Sequence, residues 1–357
     1  MFINRRFGTK ITNNAGQFVQ PNKPGGAKLP PAGVSLNVFS DMKNAAGAPA
    51  EEKAVAIHNR KPLATLSLPT VEQLTTEIES MSIEMDEESI IDIDEYDRDD
   101  PQFVTEYVQD IFSFLKQREN EQQLGDYIAT VQLEVTVHHR NILASLMTQI
   151  AYRLRLLSET LMLAVRIVDR VLSTRPVSAK KLQLVGAGAL IIACKFEEMH
   201  APPISDFVYV LKEQYTVSEM LRIERVLLNT LGFNLCMPSP LLFLRRYSKA
   251  AGSDSTTHTL AKYLTELSCL DYGMLKYTDS TIAAAAVFLA RRMRRIVPFW
   301  DRCLEYYTEY EERDFIDCAA ELNAVFFRES SAANGALYTK YSDKRLLCVA
   351  QTPYLPL

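Results

Sequence analysis

Residues 181–210, KLQLVGAGALIIACKFEEMHAPPISDFVYV, decide the fold. The spacing predicts a helix from about 179 to 198. Its centre, LVGAGALIIAC, is apolar on every side, which marks a helix buried all round and so the hub of a bundle. Pro202 and Pro203 then break the chain and permit a short helix, ISDFVYVL. The string GAGAL at Gly186 lacks the third glycine and the preceding strand of a dinucleotide fingerprint, so it reads as helix packing.

Working outward, Ser218 is expected to cap the helix SEMLRIERVLLNTL, and Gly232 to end it. Upstream, 137–157 reads as an amphipathic helix. Ser158 and Glu159 open another, carrying Leu161, Leu163, Val165, Ile167, Val168 and Leu172. Before these, Phe103, Tyr107, Ile111, Phe114 and Leu115 recur at helical spacing after Pro101, a residue suited to a first turn. From Pro238 a second set follows: LLFLRRYSKA, THTLAKYLTELSCL, STIAAAAVFLARRMRRI, the stretch around WDRCLEYY, and ERDFIDCAAELNAVFF. In each set the third helix is rich in small residues, Gly186 to Ala189 in one and Ala283 to Ala286 in the other. The expected fold is all-α, two tandem five-helix units preceded by an N-terminal helix.

Charge divides the rest of the chain. The net charge is -5, but residues 1–61 carry nine Lys/Arg against three Asp/Glu, and residues 62–100 carry one against thirteen. A basic arm, then an acidic arm, precede a nearly neutral body. The first arm (GGAKLPPAGVS) lacks periodic hydrophobes, and the acidic run reads as a solvated linker. The expected divisions are a disordered regulatory tail at 1–97, a helix at 98–120, one unit at 121–235, a second at 236–330, and a partly ordered tail at 331–357.

Little here suggests chemistry. The histidines His58, His138, His139, His200 and His258 fall in no HExxH motif, and there is no P-loop and no GxSxG. Six cysteines lie far apart with no CxxC; Cys194, Cys269 and Cys318 read as small buried hydrophobes, which suits a reducing compartment. Neither a signal peptide nor an eighteen-residue apolar run is present. The basic cluster RRMRR at 291–295 reads as a solvated helix end. No catalytic residue, metal site or cofactor is expected.

The quoted stretch resembles the cyclin box, and LLFLRRYSKA and HTLAKYLTELSCLDY resemble B-type mitotic cyclins in particular. Five residues typical of the box stand in place: Arg140, Asp169, Leu184, Lys195 and Glu224. DPQFVTEYVQDIFSFL resembles the helix that precedes the box. The resemblance implies a regulatory subunit that switches on a cyclin-dependent serine/threonine kinase at the G2/M transition, in nucleus and cytoplasm, without nucleic-acid or membrane contact. It implies a structural ion pair between Arg140 and Asp169. It implies a kinase-binding surface of Lys195 and Glu224 with Ile192, Phe196 and Leu228, extended by Tyr107, Ile111 and Phe114. The family's docking patch for substrate and inhibitor peptides is altered: HRNIL puts His139 where the family has methionine, and Leu146 replaces a tryptophan, while Ile142, Leu143 and Gln183 remain. Arg245, His258 and Lys262 would form a phosphate pocket whose affinity falls as pH rises through the neutral range. A destruction box for the ubiquitin ligase of mitotic exit is sought at Arg5, Ile11 and Asn13, with Gly8 where leucine belongs, or at RKPL (60–63). The competing reading is a cyclin-box adaptor in transcription, either a transcriptional cyclin or a transcription factor IIB-like protein. The near-neutral body and the lack of a zinc ribbon weigh against the DNA-binding version.

Overall fold

The computed structural model describes residues 90–333 and 335–356, and every regular element among them is helical. Helix α1 spans Val108–Glu121 and α2 Tyr127–Thr130. The first five-helix unit is α3 (Val137–Arg153), α4 (Ser158–Thr174), α5 (Leu182–Glu197), α6 (Ile204–Val210) and α7 (Val217–Thr230). The second is α8 (Pro240–Ala250), α9 (Ser255–Ser268), α10 (Asp279–Met293), α11 (Arg302–Thr308) and α12 (Glu312–Ala332). A further helix, α13 (Ala336–Tyr341), follows.

The hubs are where the small residues placed them. Helix α5 packs against α3, α4 and α7, and α10 against α8, α9 and α12. A Cβ at Gly186 would sit 2.7 Å from Leu143 Cδ1, and one at Gly188 would sit 2.9 Å from Ile223 Cγ2. Those two glycines therefore set how closely α3 and α7 approach the hub. In the second unit Ala283 to Ala286 are fully buried and do the same work.

Arg140 and Asp169 tie α3 to α4. Both are buried, and the guanidinium donates twice to the carboxylate, Nε to Oδ1 at 3.0 Å and Nη2 to Oδ2 at 2.8 Å. Tyr127 of α2 donates to the same carboxylate at 2.7 Å, and Arg140 Nη1 donates to the Cys269 carbonyl of the second unit at 2.6 Å. Burial opposes the charge on Arg140, but Asp169 outweighs it, so its pKa moves upward. One ion pair thus joins four segments.

Several local expectations change. Thr216, not Ser218, caps α7: Thr216 Oγ1 accepts from Glu219 N and the Glu219 carboxylate accepts from Thr216 N, a capping box. Helix α3 stops at Arg153, not at 157, because Arg155 turns into the left-handed region at φ 55. Helix α1 starts at Val108, so Pro101 lies in the turns before it. Arg291 is not solvated: it is buried, pairs with Asp301 at 2.9 Å and donates to the Pro298 carbonyl at 2.7 Å.

The described parts of both presumed tails dock on the body. From Ile90 the acidic run is not a free linker. Asp94 accepts from Arg246 and Lys249 at 2.6 Å each, Asp97 pairs with Lys249 at 2.6 Å, and Ile93 packs on the core. Burial works against ionisation of Asp94, yet the two cations hold its carboxyl below the usual range. At the other end Leu337, Tyr341, Val349 and Ala350 are buried. Glu266 of α9, fully buried, accepts from Tyr341 at 2.6 Å and from Lys340 at 2.7 Å, and also from Ser158 of α4. Residues 336–350 are therefore part of the folded body.

Glu119 of α1 acts as an acceptor for the start of α10. Its buried carboxylate takes the Ser280 backbone N–H at 2.8 Å and the Ser280 hydroxyl. Burial pushes its pKa up to about 7, Asp279 adds to the rise, and the Ser280 bonds and Lys116 partly offset it.

Two outcomes are expected from these contacts. Arg140→Ala strands the buried Asp169 carboxylate and should cost about 3–5 kcal/mol in denaturant melts; a loss below about 1 kcal/mol would mean that the pair does not hold the units together. For Glu119, the native carboxyl keeps its proton to about pH 7, whereas the unfolded one releases it near 4.5. Its contribution is complete below 4.5 and is lost as pH rises to 7, about 3 kcal/mol. The stability of Glu119→Gln relative to wild type should therefore grow between pH 4.5 and pH 8; a constant gap would count against the buried protonation.

Candidate kinase-binding surface

Lys195 sits in the last turn of α5 and Glu224 at the middle of α7, and the packing of these helices brings them together. Lys195 Nζ donates to Glu224 Oε1 at 2.5 Å, with the lysine side chain 50% exposed and the glutamate 11%. The carboxylate is thus held from beneath while the ammonium reaches outward. Phe196 and Leu228 are half-buried beside the pair. Ile192 does not join them: at 3% exposure it belongs to the core of the first unit, so its expected surface contact is corrected. On the N-terminal segment Tyr107 and Phe114 are exposed and Ile111 is half-buried. Phe233 was not anticipated. It is 67% exposed, has φ 59, and its N–H returns to the Leu228 carbonyl at 3.0 Å, so it stands at the edge of the same surface. The one sequence signal for it was an aromatic directly after the helix-ending Gly232.

The HRNIL patch is also rearranged. His139 closes α3 rather than lining a groove: Thr136 N–H donates to its Nδ1 and its own N–H donates to Thr136 Oγ1, both at 3.3 Å. Leu143 is buried in the core. That leaves exposed Ile142 with half-buried Leu146 and Gln183 as the accessible part.

Arg245, His258 and Lys262 do converge, but around an acid of their own. Arg245 pairs with Glu159 of α4 through Nη2, while its Nη1 is buried and has no hydrogen-bond partner among the described residues. Burial opposes ionisation of Glu159; Arg245 and Lys262 prevail and lower its pKa. His258 contacts Ser248 Oγ at 2.9 Å. Burial, then Lys262 and Arg245, push His258 down to about 4, so its titration lies well below neutrality. In the ligand-free chain the imidazole is therefore already neutral through the neutral range.

Arg5, Ile11, Asn13 and RKPL lie outside the described residues. Among the described residues no group of His, Cys, Asp and Glu could hold a metal, and no helix is long and apolar enough to cross a membrane.

Comparison with known proteins agrees with this architecture. Residues 110–236 match the family model "Cyclin, N-terminal domain" and residues 238–355 "Cyclin, C-terminal domain". The second match takes in 331–355, in keeping with the docked C-terminal segment. The G2/mitotic-specific cyclin-B of Dictyostelium discoideum is 43% identical over 75% of this chain and 63% of its own length, so the chain spans less than two thirds of that relative. The G2/mitotic-specific cyclin-B2 of Oryzias latipes is 40% identical over 75% of this chain and 69% of its own length. Among solved structures, a viral cyclin from herpesvirus saimiri superposes with a TM-score of 0.54 at 19% identity, covering 60% of this chain and 96% of that one, which speaks to the fold. Two cyclin domains in tandem and relatives of the mitotic B type show that the chain belongs to the cyclin family.

Proposed function

We propose that this chain binds and activates a cyclin-dependent serine/threonine kinase at the G2/M transition, through the face formed by the end of α5, by α7 and by α1. The observation that carries the reading is the Lys195–Glu224 pair at 2.5 Å, flanked in the chain by accessible Phe196, Leu228 and Phe233, with Tyr107 and Phe114 exposed on the N-terminal segment. A surface with an apolar centre and charged groups for orientation suits specific docking. The mechanism is conformational. A kinase works only when its Lys–Glu pair and metal-binding Asp are assembled. A rigid partner that binds that arrangement alone shifts the population toward it and contributes no catalytic atom. Docking of substrates and inhibitors at Ile142, Leu146 and Gln183, destruction through the N-terminal arm by the ubiquitin ligase of mitotic exit, and residence in nucleus and cytoplasm belong to the same proposal.

Charge reversal of Lys195 or Glu224 should abolish co-purification with the kinase and histone-kinase activity while leaving the far-ultraviolet circular dichroism helical. The loss corresponds to about 2–5 kcal/mol of desolvated, charge-assisted contacts. Normal activation by both variants would remove this surface from the proposal.

The Arg245, His258 and Lys262 cluster is proposed to receive a phosphorylated serine or threonine, the phosphate displacing the Glu159 carboxylate from Arg245. A phosphopeptide should then bind Glu159→Gln more tightly than wild type, and Arg245→Ala/Lys262→Ala at least about tenfold more weakly. Affinity should not fall between pH 6.5 and 8, because His258 is already neutral there. Weaker binding to Glu159→Gln, or equal binding to the double variant, would exclude the pocket.

A further inference from the structure

We propose that a second site, lined by residues other than those of the kinase-binding surface and the Arg245 cluster, captures an acidic linear peptide that carries apolar side chains. The site is a groove of about 500 Å³ between the end of α3, the turn into α4, and the C-terminal segment from α13 onward. That volume falls within the ~300–1,000 Å³ typical of ligand pockets. It exists only because the C-terminal segment is docked: Leu337 of α13 forms one wall, held there by the Glu266 bonds to Lys340 and Tyr341.

The lining divides into floor and rim. Leu156, Leu157 and Leu337 supply apolar floor, and Leu157 remains 45% exposed with nothing among the described residues covering it. The rim is cationic, with Arg153, Arg155, Lys340 and Arg345, and no carboxylate lines the groove. Two of these charges are already balanced, Lys340 by buried Glu266 and Arg345 by Asp343 at 2.7 Å. Arg153 and Arg155 are exposed and neither is ion-paired among the described residues, although Arg153 also borders a neighbouring hollow lined by Asp206 and Glu213. The groove therefore presents two uncompensated guanidiniums beside an uncovered leucine.

The end of α3 fixes where Arg155 sits. It occupies the left-handed position that ends α3, where Leu156 N–H returns to the Ala151 carbonyl at 2.9 Å. Glycine suits that conformation, and a long branched guanidinium does not.

The apolar floor distinguishes the occupant. A nucleic-acid backbone would use the arginines and leave the leucines wet. A peptide with alternating acidic and apolar residues satisfies both, its carboxylates on Arg153 and Arg155 and its apolar side chains on exposed Leu157 and half-buried Leu156. The proposal does not rest on kinase activation, since binding is a property of this chain alone.

The test is fluorescence anisotropy with the full chain and labelled EELEELEE at about 0.15 M salt, alongside EESEESEE and a thymidylate oligonucleotide. EELEELEE should bind wild type, and both Arg153→Glu/Arg155→Glu and the replacement of leucine by serine in the peptide should weaken it at least about tenfold. Arg155→Gly should also weaken binding while raising the melting temperature, because glycine relieves the backbone and removes the cation. Failure of EELEELEE to bind at about 1 mM, equal affinity for the charge-reversed chain, or equal affinity for EESEESEE would each overturn the proposal. So would oligonucleotide binding of equal strength that the same arginine substitutions abolish.

Discussion

The buried pair of Arg140 and Asp169 is the constraint around which the rest of the body is arranged. Burying two charges carries a desolvation penalty of several kcal/mol per ion, which only close and complete pairing offsets. Here the pairing is complete: three nitrogens of the guanidinium have acceptors, and one carboxylate oxygen also takes the Tyr127 hydroxyl. Such a cluster tolerates little displacement. A shift of α3 along α4 by one turn would break both bonds to Asp169 and leave the Cys269 carbonyl without its donor. The pair therefore fixes helix register as well as contributing stability. Because Arg140 also reaches the second unit, register within the first unit and placement of the second are set by the same side chain. The edge-to-face contact of Tyr127 with Tyr272, 5.1 Å between ring centroids, lies beside it and reinforces the junction.

What sequence could convey follows from the range of the interactions. The ten helices of the two units were legible because hydrophobic period and small-residue runs are local signals. The ion pair, the Lys195–Glu224 pair and the basic trio came from family likeness, since periodicity alone leaves all of them as surface charges. The docked ends were missed for a physical reason. Asp94 meets Lys249 across 155 positions and Lys340 meets Glu266 across 74, so nothing in the composition of either segment announces its order. The acidic run looked unable to fold, and it does not fold alone; it is ordered by cations on α8. Ile192 shows a different limit. On a helix apolar all round, every large residue is equally eligible for core or surface, and only packing decides. The cap at Thr216 was legible and passed over, because Thr216 with Glu219 satisfies the capping box and Ser218 with Leu221 does not.

Rigidity at the proposed kinase-binding face has the same origin as rigidity in the core. Glu224 is set low and Lys195 high, so the carboxylate fixes the ammonium before any partner arrives. The entropy of ordering the lysine is then met within the free chain, which favours binding by pre-organisation. Phe233 is placed by backbone geometry in the same way, through its bond to the Leu228 carbonyl. A conformational activator needs this property, because a surface that adapted to both kinase arrangements would shift neither.

The two cationic sites differ in how their charges are balanced, and the difference sets what each can select. Around Arg245 the chain supplies its own anion, Glu159, and neighbouring Lys262 helps to keep that carboxylate ionised. An incoming ligand must outcompete a partly buried carboxylate, which a phosphate dianion can do and a single peptide carboxylate does poorly. At the α3–α13 groove no internal anion competes for Arg153 and Arg155, so ordinary carboxylates suffice. Exposed pairs of that kind are individually worth little and are screened by salt. Selectivity there has to come from the accessible apolar surface of Leu157 and Leu156. One site thus discriminates by charge density and the other by the combination of charge with apolar contact, and the chain can hold both without either capturing the other's ligand.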